Sequence, residues 1–360
     1  MTVAIIVSSA LLALLLALAL VLPSITGPTV PFGVRVPVQR AGDPVVVRQT
    51  SIYRWRVFLG GILAVGLGVA IYGTTGEAWL LPLPVLVLLA VWYGCFFLAN
   101  HAIRAAKASG GWYKGLHQGI AVDTGLRTDP PRFPWRWLAP ALILTLATMA
   151  IGTVSFPSMP EQLVVHYGAN GVPDRIAAKS VGTAFSLVFV QIGMTALLAG
   201  MAAAIFRGRP DIDPGHPVGS ARWHRQYTAL SAKALLGLAG AIDLGLMGSS
   251  LLMWTGTATP LAPLVIVLPV LAAVVVAVVA MARHNREPLG GERDTGLTHR
   301  DDDKYWRGGL IYVNRKDHAL MVPRRFGLGW TLNFGNPRAA MLLAGIAALI
   351  SLVVILRFGS

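Results

Sequence analysis

Few residues in this chain have the types and spacing that do chemistry. The stretch from Met159 to Lys179 holds His166, Asp174 and Lys179, with Pro160, Asn170, Gly171 and Pro173 between or beside them. An imidazole near a carboxylate can make a pH-sensitive or metal-assisted contact, since histidine titrates near neutral pH. Two such ligands fall short of the three or four a zinc site takes, so no metal is expected. The alternative is structural: the pair holds its loop by hydrogen bonds, with Asp174 serving as a helix cap. Asp243, in the otherwise apolar run Gly240–Gly248, is an ionisable group deep in a hydrophobic segment and therefore a candidate site by default. With Gln191 as partner it would serve a proton or cation pathway, or be a protonated acid hydrogen-bonded to a neighbouring helix. The triplet Asp301-Asp302-Asp303 resembles a metal ligand set, but adjacent side chains diverge, and a solvated acidic run is expected. Arg324, Arg325 and the other loop cations are expected to meet lipid head groups. No His-Glu-x-x-His, Gly-x-Ser-x-Gly or Gly-Lys-Ser/Thr motif occurs, so neither an enzyme nor a cofactor is expected.

The elements that carry these residues can be read from composition. The 360 residues are 55% hydrophobic and 13% charged, about half the charge of a soluble domain. Eight segments approach the roughly 20 apolar residues needed to span a bilayer: Val3–Leu22, Val57–Gly73, Trp79–Leu98, Trp137–Phe156, Val181–Phe206, Ala232–Trp254, Leu261–Ala282 and Ala339–Leu356. The first has no basic region before it and a poor cleavage site after it, so it reads as a retained span. The loops 26–56, 100–136, 207–231 and 283–338, with Lys233, hold 27 of the 30 lysines and arginines. Basic loops stay inside, which puts both termini and the 157–180 loop outside. The net charge of +14 is spread over four loops without interleaved aromatics, which argues against nucleic acid and for membrane lipid as the basic partner. The single cysteine, Cys95, excludes an internal disulfide.

The expected architecture is an all-α polytopic membrane protein of about eight transmembrane helices, with a small β-rich cytoplasmic module between the last two spans. Its parts are a three-span region (1–136), a two-span unit with the outer loop (137–206), a two-span hairpin (207–282), a linker and module (283–338) and the last span (339–360). The order span, basic loop, hairpin, basic loop and span over 3–156 recurs over 181–356, as either a parallel duplication or a consequence of topology. Within 283–338, Glu287–Lys304 reads as linker. Beyond it come short β-type runs separated by turn residues, and a two- or three-stranded meander resting on the helix ends is expected.

The order Pro160, His166, Gly171, Pro173, Asp174, Lys179 between two spans resembles the uncharacterised domain of the SdpI immunity-protein family. The module resembles a cytoplasmic domain that often accompanies it, through Tyr305, Trp306, Gly308, Tyr312, Asn314, Phe326, Gly327, Gly329, Trp330 and Asn333. Pro31-Phe32-Gly33-Val34-Arg35-Val36-Pro37 is similar to a juxtamembrane motif of the longer relatives. The resemblance implies a multipass protein of the bacterial cytoplasmic membrane. It also implies immunity to, or sensing of, an extracellular toxic peptide, relayed to a cytosolic regulator. A transporter or ion pathway using Asp243 is the alternative.

Overall fold

The computed structural model describes residues 2–75, 80, 82–121, 129, 131–167, 173–257, 259, 261–285 and 292–358. Eight long helices carry the expected spans: α1 (Thr2–Ile25), α2 (Pro44–Thr75), α3 (Leu83–Ser109), α4 (Ala139–Ser155), α5 (Ser186–Ile205), α6 (Pro217–Trp254), α7 (Ala262–Asn285) and α8 (Pro337–Phe358). The first seven, counting the turns that flank α4, are long and apolar enough to cross a membrane, and α8 adds a helix of 22 residues. Their leucine-, valine- and alanine-rich sequences leave Leu59, Leu63, Ile143, Phe189 and Val276 facing outward. Helices apolar on their outer faces suit lipid, where backbone polar groups must be satisfied within the helix. The chain is an integral multipass membrane protein.

Two helices start well before their apolar segments. Helix α2 begins at Pro44 and α6 at Pro217, each with proline in the first turn, where its missing N–H costs nothing. At 1.5 Å per residue the 38 residues of α6 extend about 57 Å. The span expected over Val181–Phe206 is interrupted: a one-turn helix at Val181–Ala184 precedes α5. Helices α1 to α3 pack together, α4 to α7 form a second group, and α1 touches α7. At Gly245 on α6 a Cβ would lie 2.7 Å from Ile266 Cα, so the absent side chain is what lets α7 approach.

The β-structure is local. Strands β2 (Gln162–Tyr167) and β3 (Pro173–Ala178) form an antiparallel hairpin at one end of the bundle. At the other end β1 (Gln118–Gly119) pairs in parallel with β4 (Thr298–His299). The module has two antiparallel pairs rather than one meander: β5 (Trp306–Arg307) with β6 (Ile311–Tyr312), and β7 (Met321–Pro323) with β8 (Trp330–Leu332). A bridge between Tyr312 and Asn333 joins them. Described residues from all four basic loops, Arg35, Lys107, Asp211 and Asp302 among them, come together at this module end.

Candidate functional site

The β2–β3 hairpin is anchored from below. Leu163 is fully buried against Met159, Ala184, Met253 and Trp254, and Trp254 Nε1 donates to Ala184 O at 2.9 Å. Lys179 closes the base, ion-paired to Glu161 at 2.8 Å and donating to Met159 O at 3.1 Å. Pro160 reaches Gly256 after α6, and Pro173 pairs with Tyr167 in the ladder. Above this base His166 Nδ1 lies 2.6 Å from Asp174 Oδ1, both side chains more than half exposed. The cap expected from Asp174 is not formed, because Asp174 lies within β3; Ser180 Oγ accepts from Thr183 N instead and caps Val181–Ala184. Asn170 and Gly171 lie outside the described residues.

Within the bundle the structure brings Asp243 and Gln191 together, both fully buried. Thr195 Oγ1 donates to Asp243 Oδ2 at 2.7 Å and Thr145 Oγ1 at 3.3 Å. Gln191 Nε2 donates to Asp243 O and to Thr148 Oγ1. Asp243 Oδ1 and Gln191 Oε1 have no hydrogen-bond partner among the described residues. The threonines were not singled out from sequence, because hydroxyls scattered on two other helices carry no local sign that they face one acid.

The largest polar assembly among the described residues sits at the module end, and most of it was not visible in the sequence. Arg35, 4% exposed, holds Asp211 at 2.7 Å and Asp302 at 3.2 Å. Arg325, 3% exposed, pairs with both Asp302 and Asp303. Lys107 at the end of α3 reaches Asp301 at 2.8 Å and Asp303 at 2.7 Å. The acidic triplet is therefore not a solvated run but the core of an ion cluster. Arg325 meets these carboxylates rather than lipid, and Arg324 donates to Gly329 O and Trp330 O. Nor is the whole of Glu287–Lys304 a linker: Glu292 accepts from Val218 and Gly219 N–H at the start of α6, where the helix dipole favours a carboxylate.

The motif residues of the module are docking residues. Phe326 stacks on Phe32 at 5.6 Å between ring centroids and packs at a tilt on Phe96 at 4.6 Å. Trp306 is buried under Arg325, and Tyr305 packs on Tyr312. Gly308, Gly327 and Gly329 have positive φ. Gly329 N–H donates to Tyr227 Oη at 2.6 Å, and Trp330 packs on His224, which ties the module to α6. Asn333, fully buried, donates to Asn314 O, Asp317 O and Ala319 O and accepts from Asn314 N–H. Asn314 and Asp317 in turn bond Tyr312 Oη.

Acid should loosen this end in two stages. Burial, reinforced by Arg35, holds His299 below the usual histidine range despite Asp211, Asp213 and Asp302 nearby. The folded state therefore resists a proton that the unfolded chain accepts, and stability falls as pH drops below about 6.5. Desolvation would raise Asp303, but Arg325 and Lys107 outweigh it and lower it. Its contribution is present above about pH 3.9 and is lost below that as the folded carboxylate protonates. In melts of the solubilised protein between pH 8 and 4, His299→Gln should flatten the first stage. Equal pH dependence of variant and parent would refute the assignment.

Residues 143–192 match a domain of unknown function, DUF1648, covering most of α4, the hairpin and the start of α5. Residues 315–339 match a family of unknown function, DUF5808, which takes in β7, β8 and the first turn of α8. No curated protein and no solved structure matches the chain. Both domains accord with a multipass membrane protein, and between them they hold the hairpin and half of the module.

Proposed function

We propose that this chain is a non-enzymatic membrane receptor or immunity protein of the SdpI type. Its β2–β3 hairpin faces the exterior and meets an extracellular ligand such as a toxic peptide, and its module faces the cytosol and relays to a regulator. In a bacterial cytoplasmic membrane the basic loops set this orientation, with both termini outside. One observation carries the reading: α6 is a single unbroken helix whose outer end, Met253 and Trp254, packs under the hairpin, while Tyr227 and His224 near its start hold the module. A rigid rod touching both sites is the kind of element through which binding at one end biases the other.

His166 and Asp174 are exposed, and their pair contributes little to stability. His166→Ala and Asp174→Ala should therefore leave the melting temperature of the protein unchanged while abolishing protection of cells against the peptide. Full protection by both variants would remove the hairpin from the ligand site.

A second reading rests on the oxygens of Asp243 and Gln191 that have no hydrogen-bond partner among the described residues, which would face a proton or small cation in a transport pathway. Asp243→Asn keeps an acceptor for Thr195 and should fold. The receptor reading expects protection to survive this change, with no gradient-driven flux in proteoliposomes from either protein. Flux in the parent that disappears in the variant would establish transport instead.

A further inference from the structure

Beside the ion cluster, the ends of α5 and α6 and the module enclose a cavity of about 520 Å³. That volume lies within the range of small-ligand pockets. Four arginines line it, Arg35, Arg207, Arg209 and Arg300, against two carboxylates, Asp211 and Asp302. Arg35 is committed to both carboxylates and Arg209 to Asp317. The guanidinium groups of Arg207 and Arg300 have no hydrogen bond or ion pair among the described residues. The inner wall holds a second anomaly. Thr228, 3% exposed, lines the cavity with Oγ1 buried and without a hydrogen-bond partner among the described residues, and His224, 6% exposed, lies one helical turn away. Buried hydroxyls in folded proteins are almost always bonded.

We infer that this cavity is a binding site for an organic phosphate. The phosphate sits on Arg207 and Arg300 at the mouth, and the polar body of the ligand meets Thr228 and His224 inside. Guanidinium forks match phosphate oxygens in geometry and charge, and a phosphomonoester carries close to two negative charges at neutral pH, equal to the two cations left unpaired among the described residues. The site is separate from the outer hairpin and does not rest on the receptor reading. Because Ile205 and Phe206 at the end of α5 form part of the wall, the phosphate can come from a soluble metabolite or from a lipid head group.

The test uses the full chain in phosphatidylcholine nanodiscs at fixed ionic strength. Glycerol 3-phosphate and adenosine 5′-monophosphate are titrated by calorimetry, and in a separate arm the discs are doped with phosphatidic acid and the melting temperature is read. Binding of either soluble probe, weakened about tenfold or more by Arg207→Ala with Arg300→Ala and unchanged by Arg54→Ala, supports a soluble ligand. A rise in melting temperature with phosphatidic acid alone, lost in the same double variant, supports a lipid head group. Thr228→Val, which keeps the side-chain shape, should weaken the soluble probes and serves in place of the double variant if that fails to fold. No response in any arm, or equal responses in parent and variants, overturns the proposal.

Discussion

Replacing Arg325 with alanine is expected to destabilise the protein by about 3–5 kcal/mol, the range for removing one partner of a buried ion pair. The guanidinium is almost wholly enclosed, binds Asp302 and Asp303, donates to Gly33 O at 3.1 Å and lies over the Trp306 ring. Its loss leaves two partly buried carboxylates short of a cation, and Arg35 and Lys107 are already shared with other acids. Unfolding in denaturant should show the change, and limited proteolysis should reveal new cleavage within 292–333. Adding Asp302→Asn and Asp303→Asn to Arg325→Met should recover most of the loss if charge rather than volume is responsible. A single variant within about 0.5 kcal/mol of the parent, the usual range for surface changes, would show that the cluster does not hold the module.

Gly33→Ala should be comparably severe for a different reason. Gly33 has φ of +76°, and an added Cβ would lie 2.8 Å from Gly309 Cα, against backbone that has no side chain to swing aside. Left-handed strain in a non-glycine residue costs about 1–3 kcal/mol, and overpacking a further 1–3 kcal/mol. Just before it, Phe32 already occupies positive φ while its carbonyl accepts from Asn100 Nδ2 at 2.7 Å. Gly42→Ala supplies the contrast: beyond its two chain neighbours no described residue comes within 4 Å of its Cβ position, so its melting temperature should match the parent's. If the two alanine variants melt together, the close approach of loop and module is wrong.

These two residues show where sequence reading stops. The helices were legible because hydropathy is a local property. Of the hairpin only the first strand was visible, as an extended run up to Tyr167; the second was expected to be a helix capped by Asp174, because nothing local shows that 173–178 pairs with 162–167. Arg35 was visible as part of a motif, but its partners Asp211 and Asp302 lie 176 and 267 residues along the chain, and no spacing rule joins them. Read alone, Asp301-Asp302-Asp303 has the composition of a solvated segment; only the arrival of three cations from three other segments makes it a core. The tyrosine, tryptophan and glycine motif of the module was recognisable before its role, since docking depends on Phe32, Phe96 and Tyr227 from distant loops and helices. Asp243 and Gln191 were picked out for their depth, whereas Thr145, Thr148 and Thr195, which bind them, look ordinary in sequence.

The unbroken course of α6 also restricts how such a chain can change in length. Between Tyr227 and Trp254 the helix fixes an angular phase as well as a distance. Each inserted residue would turn the hairpin about 100° relative to the module and move them about 1.5 Å apart. Two turns of helix take about seven residues, so only rare insertions of that size would restore the facing while still lengthening the rod. Relatives built on the same plan should therefore vary in loop length but keep this interval constant, as a shaft keyed at both ends must.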